Sequence, residues 1–511
     1  MALIQQLAQL EAAQLVRRAQ DDELAYQFKH ALTQDSAYAS LLKSQRSALH
    51  RRAAQAYEEL YTDQLDEFAA LLAHHYAEAG DDAKTLEYAT RAGDAAAQRF
   101  ANPEARGYYA QALEALARLP DDAAHRRLRI DAIVRFVSVA ERYEGPHRSL
   151  LRLQEAEKLA LELYGAAPAT RNDRLHLARI HYWIAQAYLH GNQPREATHY
   201  LQEVLSVAHA EGDDELQAIP ESMLGRAYAV RGKFADAEPH LRMATDRLDE
   251  FATNHEAFLA HGMLGMVIAA RGNYVAGIAE GERNRAAAVQ AGSLTGIALS
   301  GMSLCLTALI GGDAVRLLET SKEIIRAAEK SGDLLPLYSA YGYMAWAESR
   351  LGHHAAAVES MAKSSQIGQQ AGGRLVFADA FKAASAEIAL NAGRATEALA
   401  LAEQTVESAR SMDDNFAQGL AQRVWAEALA RLDLPLYDQA EIHFAEALRL
   451  FEQGDARLEA ARTRVAWGKV LYARGDTAAA REHFERAAAQ FRASGLQREL
   501  DEAERLLAEL K

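Results

Sequence analysis

Apolar residues along this chain gather into blocks of helical length that end at regularly spaced glycines. One series is Gly191, Gly232, Gly272, Gly312, Gly352, Gly393 and Gly475, with intervals of 41, 40, 40, 40, 41 and 82 residues, the last of which spans two units. A second series ends the second helix of many units: Gly212, Gly292, Gly332, Gly372, Gly454 and Gly495. A constant period in this range is typical of a solenoid of stacked supersecondary units. The pattern predicts pairs of antiparallel helices, each helix about 16–18 residues long.

The unit that begins near Asp214 shows the internal pattern most clearly. It has the spacing L-G-x2-Y-x3-G-x4-A, formed by Leu224, Gly225, Tyr228, Gly232 and Ala237. Gly225 allows the first helix to approach its partner closely, and Gly232 suits the left-handed residue that ends a helix. The spacing resembles the tetratricopeptide repeat (TPR). We therefore expect an all-α fold, a right-handed TPR-like superhelical solenoid of helical hairpins with a period of about 40 residues.

Two turns depart from the regular spacing. Gly191 stands one residue early, and Leu434, Pro435 and Leu436 lengthen the turn near Asp433. Such breaks in the regular spacing, together with the irregular region before residue 170, are where we expect a signal to leave the array.

The first sixty residues follow a different pattern. Leu24 to Phe28 alternates as a short strand, and residues 4–18, 31–42 and 46–61 have the pattern of helices. A helix–strand–helix–helix unit of this size is too small to bury a core of its own. We expect it to pack on the first repeats.

The same segment carries the pattern Y-x-F-x-H-A-L…Y-x-S-L…R-x-x-L-H-R. Its positions are Tyr26, Phe28, His30, Ala31, Leu32, Tyr38, Ser40, Leu41, Arg46, Leu49, His50 and Arg51, and LAHHYAEAGD follows around His74 to Asp81. This closely resembles the end of the winged-helix module and the first sensor repeat of bacterial STAND-type signalling ATPases. The resemblance implies a junction between a nucleotide-binding domain and a TPR sensor. We expect three regions: a partial winged-helix-like junction (1–62), irregular TPR-like hairpins (63–170) and a regular TPR array (171–511).

The phosphate-binding motif G-x4-G-K-[ST] occurs nowhere in the sequence. We therefore expect the chain to correspond to the sensor half of such a protein, to bind no ATP itself, and to have the NTPase domain of a parent protein as a partner.

Composition narrows the classes of partner. A net charge of −15 argues against broad binding to a nucleic-acid backbone, and no apolar run reaches the length of a membrane span. The single cysteine, Cys305, lies among leucines and cannot form an internal disulfide. We expect it to be a buried apolar residue in a cytoplasmic protein, without nucleic-acid or membrane partners.

No set of residues indicates an enzyme, because nucleophile elbows, C-x-x-C pairs and phosphate loops are missing from the sequence. His176 and His181 lie about 140° apart around a helix, and the adjacent pairs His74-His75 and His353-His354 point to different faces. We expect no catalytic residues, no cofactor and no metal.

Counting back six and ten residues from each turn gives the inner face of a TPR array. In the first unit, whose turn is one residue short, the count starts from Tyr188 and gives Tyr182 and Gln186. The candidates for a ligand or peptide groove are Tyr182, Gln186, Arg226, Met266, Met302, Trp346, Glu387, Arg423 and Glu427. Their apolar centre and charged flanks suit a peptide or small molecule. The alternative is that long helices curl the superhelix so tightly that these residues pack against one another.

Two functions fit this pattern. The first is a sensor that binds a protein, peptide or small molecule on its concave face and relays binding through the winged-helix junction to an NTPase domain. The alternative is a constitutive TPR adaptor that holds two proteins together without a switch.

Overall fold

The computed structural model describes residues 2–18, 26–99, 101–165, 167–248 and 255–510, and the chain divides into two compact units, residues 1–139 and 140–511. Within the described ranges it contains two short strands and twenty-five α-helices. The strands are β1 (Val16–Arg18) and β2 (Tyr26–Phe28), and the first seven helices are α1 (Ala2–Ala12), α2 (Ala31–Ser40), α3 (Lys43–Leu60), α4 (Ala69–Ala79), α5 (Asp82–Gln98), α6 (Asn102–Leu116) and α7 (Ala123–Glu144).

The helices that follow form the repeat array. They are α8 (Pro146–Tyr164), α9 (Arg171–His190), α10 (Pro194–Glu211), α11 (Asp214–Val230), α12 (Phe234–Leu248), α13 (His255–Ala270), α14 (Tyr274–Gln290), α15 (Leu294–Ile310), α16 (Ala314–Ser331), α17 (Leu334–Arg350), α18 (His354–Gln370), α19 (Ala378–Asn391), α20 (Ala395–Ser411), α21 (Asn415–Ala430), α22 (Tyr437–Gln453), α23 (Arg457–Arg474), α24 (Thr477–Ser494) and α25 (Gln497–Glu509). These hairpins confirm the expected all-α, TPR-like superhelical solenoid. None of the described helices is long and apolar enough to cross a membrane.

The N-terminal segment contains a β-ladder that the sequence pattern missed. The predicted helix over residues 4–18 is wrong in its last part, because α1 ends at Ala12 and Gln14 adopts a left-handed backbone with φ +60°. Residues 16–18 then pair antiparallel with residues 26–28, with Val16 opposite Phe28. The start of the predicted strand, Leu24 and Ala25, lies outside the described residues.

Glu58 joins α3 to the first hairpin of the first unit. Its carboxylate accepts hydrogen bonds from the Tyr76 hydroxyl (2.5 Å) and the Tyr88 hydroxyl, and it pairs with Lys84 Nζ at 3.0 Å. Burial opposes the ionisation of Glu58, but these donors outweigh it and hold its pKa below the ordinary value. The charged carboxylate therefore fixes α3 against α4 and α5, in line with the expected packing of this segment on the first repeats.

Left-handed residues recur about every twenty residues in the second unit. Positive φ angles occur at 192, 212, 232, 272, 292, 312, 332, 352, 372, 393, 413, 455, 475 and 495. Most of these residues are glycines, which adopt this backbone without steric cost. Gly191 and Gly454 are exceptions to the predicted turn series. Their backbones are right-handed, and the next residues, Asn192 (φ +56°) and Asp455 (φ +59°), make the turns instead.

The first turn of the regular array therefore keeps the common register. The expectation that it is one residue short is wrong, because asparagine also tolerates the left-handed region. Asn192 occupies the place that glycine fills at 232.

Small residues bring paired helices together, as the sequence predicts. A Cβ atom on Gly225 would lie 2.5 Å from Leu241 Cγ of the partner helix, so only glycine fits this crossing. Cys305 occupies a related position in α15 and is fully buried, with its Sγ 3.6 Å from Ser321 Oγ. Its complete burial confirms the prediction of a buried residue, and this burial raises the pKa of the thiol to about 12.

The superhelix of the second unit closes on itself after about four and a half repeats. Asn192 Nδ2 donates to Asp379 Oδ2 (3.2 Å), Arg231 pairs with Asp413, and Arg271 Nε donates to Asp455 Oδ2 (2.7 Å), in pairs separated by 187, 182 and 184 residues. We call this row of contacts between successive superhelical turns the seam.

Backbone groups also take part in the seam. Val376 N–H donates to His190 O (2.8 Å), Asn415 N–H to Arg231 O (3.2 Å), and Phe234 N–H to Gly454 O (3.0 Å). A Cβ on Gly454 would lie 1.9 Å from Gly232 O, so the two backbones meet directly at this point.

Asp379 is the most deeply buried charge at the seam, with no exposed side-chain surface. Burial opposes its ionisation, but a hydrogen bond from Ser408 (2.7 Å) and the cations Arg374 and Lys382 outweigh burial and hold its pKa below the ordinary value. The ionised carboxylate thus ties α19 to α20 and, through Asn192, to the preceding superhelical turn.

Replacing Gly225 tests the close helix crossing. Gly225→Ala is expected to lower the free energy of unfolding by about 1–3 kcal/mol, because its methyl group overlaps Leu241 in a packed core. Gly107→Ala is the matched control, since Gly107 lies in α6 with open space around it, and alanine there should raise stability by about 0.5–1 kcal/mol. Chemical denaturation of both variants measures the difference. Equal effects of the two substitutions would contradict the crossing.

Candidate functional site

Three predicted groove residues at the start of the array belong to one polar network. Tyr182 Oη donates to Gln186 Oε1 (3.1 Å), and Gln186 Nε2 donates to Glu141 Oε2 (3.1 Å). Glu141 also contacts His190 Nδ1 at 2.9 Å. Burial raises the pKa of Tyr182 well above its ordinary value, so this hydroxyl is a permanent donor.

Arg226 extends the network toward the next repeat. Its Nη1 donates to Glu256 Oε2 at 3.0 Å, its Nη2 lies 3.4 Å from His190 Nε2, and the arginine is only 7% exposed. These side chains satisfy one another within the array. Their role as ligand contacts stays a prediction.

The central candidates are buried in the main hydrophobic core of the second unit. Met266, Met302 and Trp346 are 4%, 7% and 1% exposed, and they belong to one core cluster that also contains Phe381 and Phe451. In this closed form they pack side chain against side chain, so a ligand would need an opening of the superhelix to reach them. Their assignment to a ligand groove therefore also stays a prediction.

The last three candidates line a cavity on the concave face. Glu387, Arg423 and Glu427 belong to its wall, and the cavity has a volume of about 920 Å³. The other walls come from the last residues of α17, from α23 and from the start of α25. This volume lies within the usual range for ligand sites, roughly 300–1,000 Å³.

Cations outnumber carboxylates on the walls of this cavity. The cationic lining residues are Arg350, Arg423, Arg431, Arg462, Lys469 and Arg498, and the acidic ones are Glu387, Glu427, Glu499 and Glu502. The chain as a whole carries a net charge of −15, so this excess of positive charge is a local feature. The cavity can attract carboxylates into an otherwise acidic protein.

A buried ion cluster forms the floor of the cavity. Glu459 Oε2 accepts from Arg423 Nη1 (2.6 Å), and Glu459 Oε1 accepts from Arg462 Nη1 (2.7 Å). Arg462 reaches onward to Glu499 at 2.9 Å. Burial opposes the charge on Glu459, but Arg423, Arg462 and the more distant Arg350 outweigh it and lower its pKa to about 2. These groups satisfy one another's charges within the protein.

Two glutamates on adjacent repeats have opposite electrostatic environments. Glu387 accepts from Trp346 Nε1 (2.8 Å) and Arg350 Nε (3.0 Å), and despite burial these contacts hold its pKa below the ordinary value. Burial raises the pKa of Glu427, and the nearby Glu387 adds to this, although Arg431 and Arg423 act against it. Arg431 Nη2 donates a hydrogen bond to Glu427 Oε2 at 2.7 Å.

Arg498 is the cation of the cavity that is most open to a ligand. It is exposed, and within the described residues no carboxylate lies close enough to form an ion pair with it. Lys469, on the opposite helix, pairs with Glu502 at 2.6 Å and is about half exposed. Both side chains can turn toward an incoming carboxylate.

Sequence counting identified part of this wall and missed the rest. It named Glu387, Arg423 and Glu427, because inner-face positions follow from the turn register. It missed Arg350, Arg431, Arg462, Arg498, Glu499 and Glu502, which lie nearer the turns or on the last helix. Arg350 and Arg431 could have been found from their position one or two residues before a turn, because a long side chain at that position can reach into the cavity.

No protein-family model and no curated protein sequence matches the chain. A search of solved structures finds matches to the chain. A Rap protein complexed with Competence and Sporulation Factor has a TM-score of 0.56 and 10% identity, covering 73% of this chain and 98% of that chain. The apo form of RapI has a TM-score of 0.43 and 14% identity, with coverages of 56% and 98%. Aspartyl phosphate phosphatase F from Bacillus subtilis has a TM-score of 0.44 and 16% identity, with coverages of 71% and 93%.

The first of these similarities establishes the fold and nothing further. The chain is similar to TPR-like helical repeat proteins in the arrangement of its helices.

Removing Arg423 tests the buried ion cluster. Arg423→Met is expected to lower the free energy of unfolding at pH 7 by about 3 kcal/mol, because it leaves the buried Glu459 with Arg462 as its main cation. This loss of stability should become smaller as the pH falls from 4.5, the ordinary pKa of a glutamate, to about 2, the pKa of Glu459 in the folded wild type. Over this range Glu459 becomes protonated, and a neutral carboxyl group does not need a cation as its partner.

Arg431→Met is the matched control, at the residue that directly follows the same helix, α21. Arg431 is half exposed and pairs with Glu427, so its loss should cost less than about 1 kcal/mol. Urea denaturation of both variants at several pH values measures the contrast. A cost for Arg423→Met that is as small as the control and independent of pH would contradict the cluster.

Proposed function

We propose that this protein is a TPR sensor that binds an acidic peptide, or an acidic segment of a protein, in the cavity between α17 and α25. The observation that carries the proposal is a 920 Å³ cavity lined by six cations and four carboxylates, above a floor that adds one more carboxylate, Glu459, and in which Arg498 has no acidic partner among the described residues. An extended segment suits such a site because it can place several carboxylates along one wall. The fold of the Rap protein, described in complex with Competence and Sporulation Factor, supports a partner-binding role.

Each charged wall has a distinct part in this proposal. Arg498 and Lys469 receive ligand carboxylates at the accessible side of the cavity. Arg423, Arg462 and Glu459 form a fixed floor that does not rearrange on binding. Glu427 accepts a backbone N–H of the ligand, which replaces the hydration that burial removes.

Trp346 provides an intrinsic reporter of binding. Its indole donates to Glu387, and Glu387 belongs to the wall. A ligand that moves Glu387 therefore changes the surroundings of the Trp346 ring.

The second part of the proposal is that ligand binding is relayed to a STAND-type NTPase domain. Support comes from the exposed apolar residues of the N-terminal segment: Leu32 (79% exposed), Leu42 (67%) and Leu60 (75%). Helix α2 has no buried residue at all, although its sequence resembles the junction of that family. An apolar surface of this kind suits contact with another domain. We propose that the N-terminal segment relays ligand binding to that domain.

Selection of random displayed peptides against the purified chain tests the binding proposal. Selected peptides are expected to be rich in Asp and Glu. In the double variant Lys469→Gln/Arg498→Gln they should bind about tenfold or more weakly, because two charge-assisted contacts are lost. Anisotropy of labelled peptides measures the affinities.

The control is Arg486→Gln, on the exposed part of α24 and outside the cavity, which should leave affinity unchanged. Equal affinity of the double variant and the control, or selected peptides without excess acid, would refute the cavity as the site. Hydrogen exchange then separates the sensor from the constitutive adaptor. A sensor changes protection in α2 and α3 when peptide binds, and an adaptor does not.

A further inference from the structure

Three histidines from two helices of the first unit converge on one point. His50 comes from α3, and His74 and His75 come from α4. Each offers one ring nitrogen such that the three nitrogens lie within 4.8 Å of one another. His50 Nδ1 and His75 Nδ1 are 2.8 Å apart. From the sequence, His74 and His75 were expected to suit a metal poorly, because adjacent residues of a helix point to different faces. The sequence alone could not show that His50 of α3 lies close to both of them.

The spacing of the three rings is that of ligands around one ion. Their centroids are 5.6 Å (His50–His74), 5.0 Å (His50–His75) and 5.5 Å (His74–His75) apart. Two imidazoles on a tetrahedral zinc ion, each with a Zn–N distance of about 2.1 Å, have centroids about 5.2 Å apart. The rings therefore need little movement to hold an ion.

A chain of polar groups contacts the Nε2 side of the His50 ring, opposite the Nδ1 atom that faces His75. Its Nε2 lies 3.0 Å from the Tyr38 hydroxyl, and that hydroxyl lies 3.4 Å from Glu78 Oε2. When Nε2–H donates to Tyr38 and Tyr38 donates to Glu78, the Nδ1 lone pair of His50 faces His75 and accepts the hydrogen of His75 Nδ1 across the 2.8 Å contact, and a metal ion would take the place of that hydrogen. This is the arrangement by which outer carboxylates fix the tautomer of metal-bound histidines.

We propose that His50, His74 and His75 form a binding site for a zinc ion that joins α3 to α4. The half-buried rings of His50 and His75 supply two ligands, and the exposed His74 supplies the third at the entrance. The fourth position is open to water. The site is separate from the peptide cavity, so neither proposal depends on the other.

The charge state of the histidines agrees with this site. Burial lowers the pKa of His50, with His74 and Arg46 adding to the effect and Glu78 opposing it. Burial also lowers the pKa of His75, and both neighbouring histidines contribute. Both rings are therefore neutral at pH 7, the form that binds metal. The guanidinium carbon of Arg46 lies 5.0 Å from the centroid of the Tyr38 ring. The effect of Arg46 on the pKa of His50 is opposed by the negative charge of Glu78.

The full chain, treated with a chelator and then titrated with Co²⁺ and Zn²⁺, tests the site. We expect one tightly bound ion per chain, a tetrahedral cobalt absorption spectrum, and a melting temperature that rises with zinc concentration, because the ion binds the folded form. His74→Ala should abolish the cobalt spectrum without unfolding the chain, since His74 is exposed. Tyr38→Phe should weaken zinc binding about tenfold while keeping the spectrum.

His199→Ala is the matched control. His199 is 71% exposed and lies near another carboxylate–histidine group, with Glu203 at 3.5 Å and His181 contacting the same glutamate. This variant should retain the spectrum and the zinc affinity of the wild type. Absence of bound metal, an unchanged spectrum in His74→Ala, or loss of the spectrum in His199→Ala would each overturn the proposal.

Discussion

The left-handed turn that recurs about every twenty residues is the constraint on which the repeat array depends. It fixes helix length, and helix length fixes how far each hairpin rotates relative to the one before. With a period near 40 residues, the array of the second unit returns to its own turns after about 182–187 residues, where Arg231 meets Asp413 and Asn192 meets Asp379. The seam is thus a direct consequence of local turn chemistry repeated many times.

Closure of the superhelix at the seam determines which residues of the concave face are buried and which line the cavity. At its centre the inner positions become core: Trp346 and Met266 belong to the largest hydrophobic cluster of the second unit and are almost fully buried. Further along, the inner positions carry charge, and charged side chains cannot pack into a dry core without partners. Arg423, Glu459 and Arg462 satisfy one another there, and the remaining space is the cavity.

Features that depend on neighbouring residues could be predicted from the sequence. The close crossing at Gly225 and the burial of Cys305 follow from spacing within one hairpin, and the structure confirms both. The turns at Asn192 and Asp455 were misplaced by one residue, because a nearby glycine is a strong signal even when another residue adopts the left-handed backbone.

Features that depend on distant residues could not be predicted in this way. Nothing near Asp413 indicates Arg231 as its partner, because the contact requires the sum of several hairpin rotations. The approach of His50 to His74 and His75 depends in the same way on how α3 packs against α4. The candidate site was predicted where the turn register fixes the inner face, at Glu387 and Glu427, and was missed at Arg498, which lies on the last helix.

The distance across the seam tests closure of the superhelix most directly. Spin labels on Arg195→Cys and Arg410→Cys, with Cys305→Ala to remove the native thiol, probe two exposed positions at the seam. Arg195 Nη2 lies 3.7 Å from Asp413 Oδ2, and Arg410 lies three residues before Asp413. The closed superhelix predicts a short, narrow distance distribution by double electron–electron resonance. In an open array, the ten stacking steps from α10 to α20 cover about 80–100 Å, so a broad distribution at long distance would contradict closure.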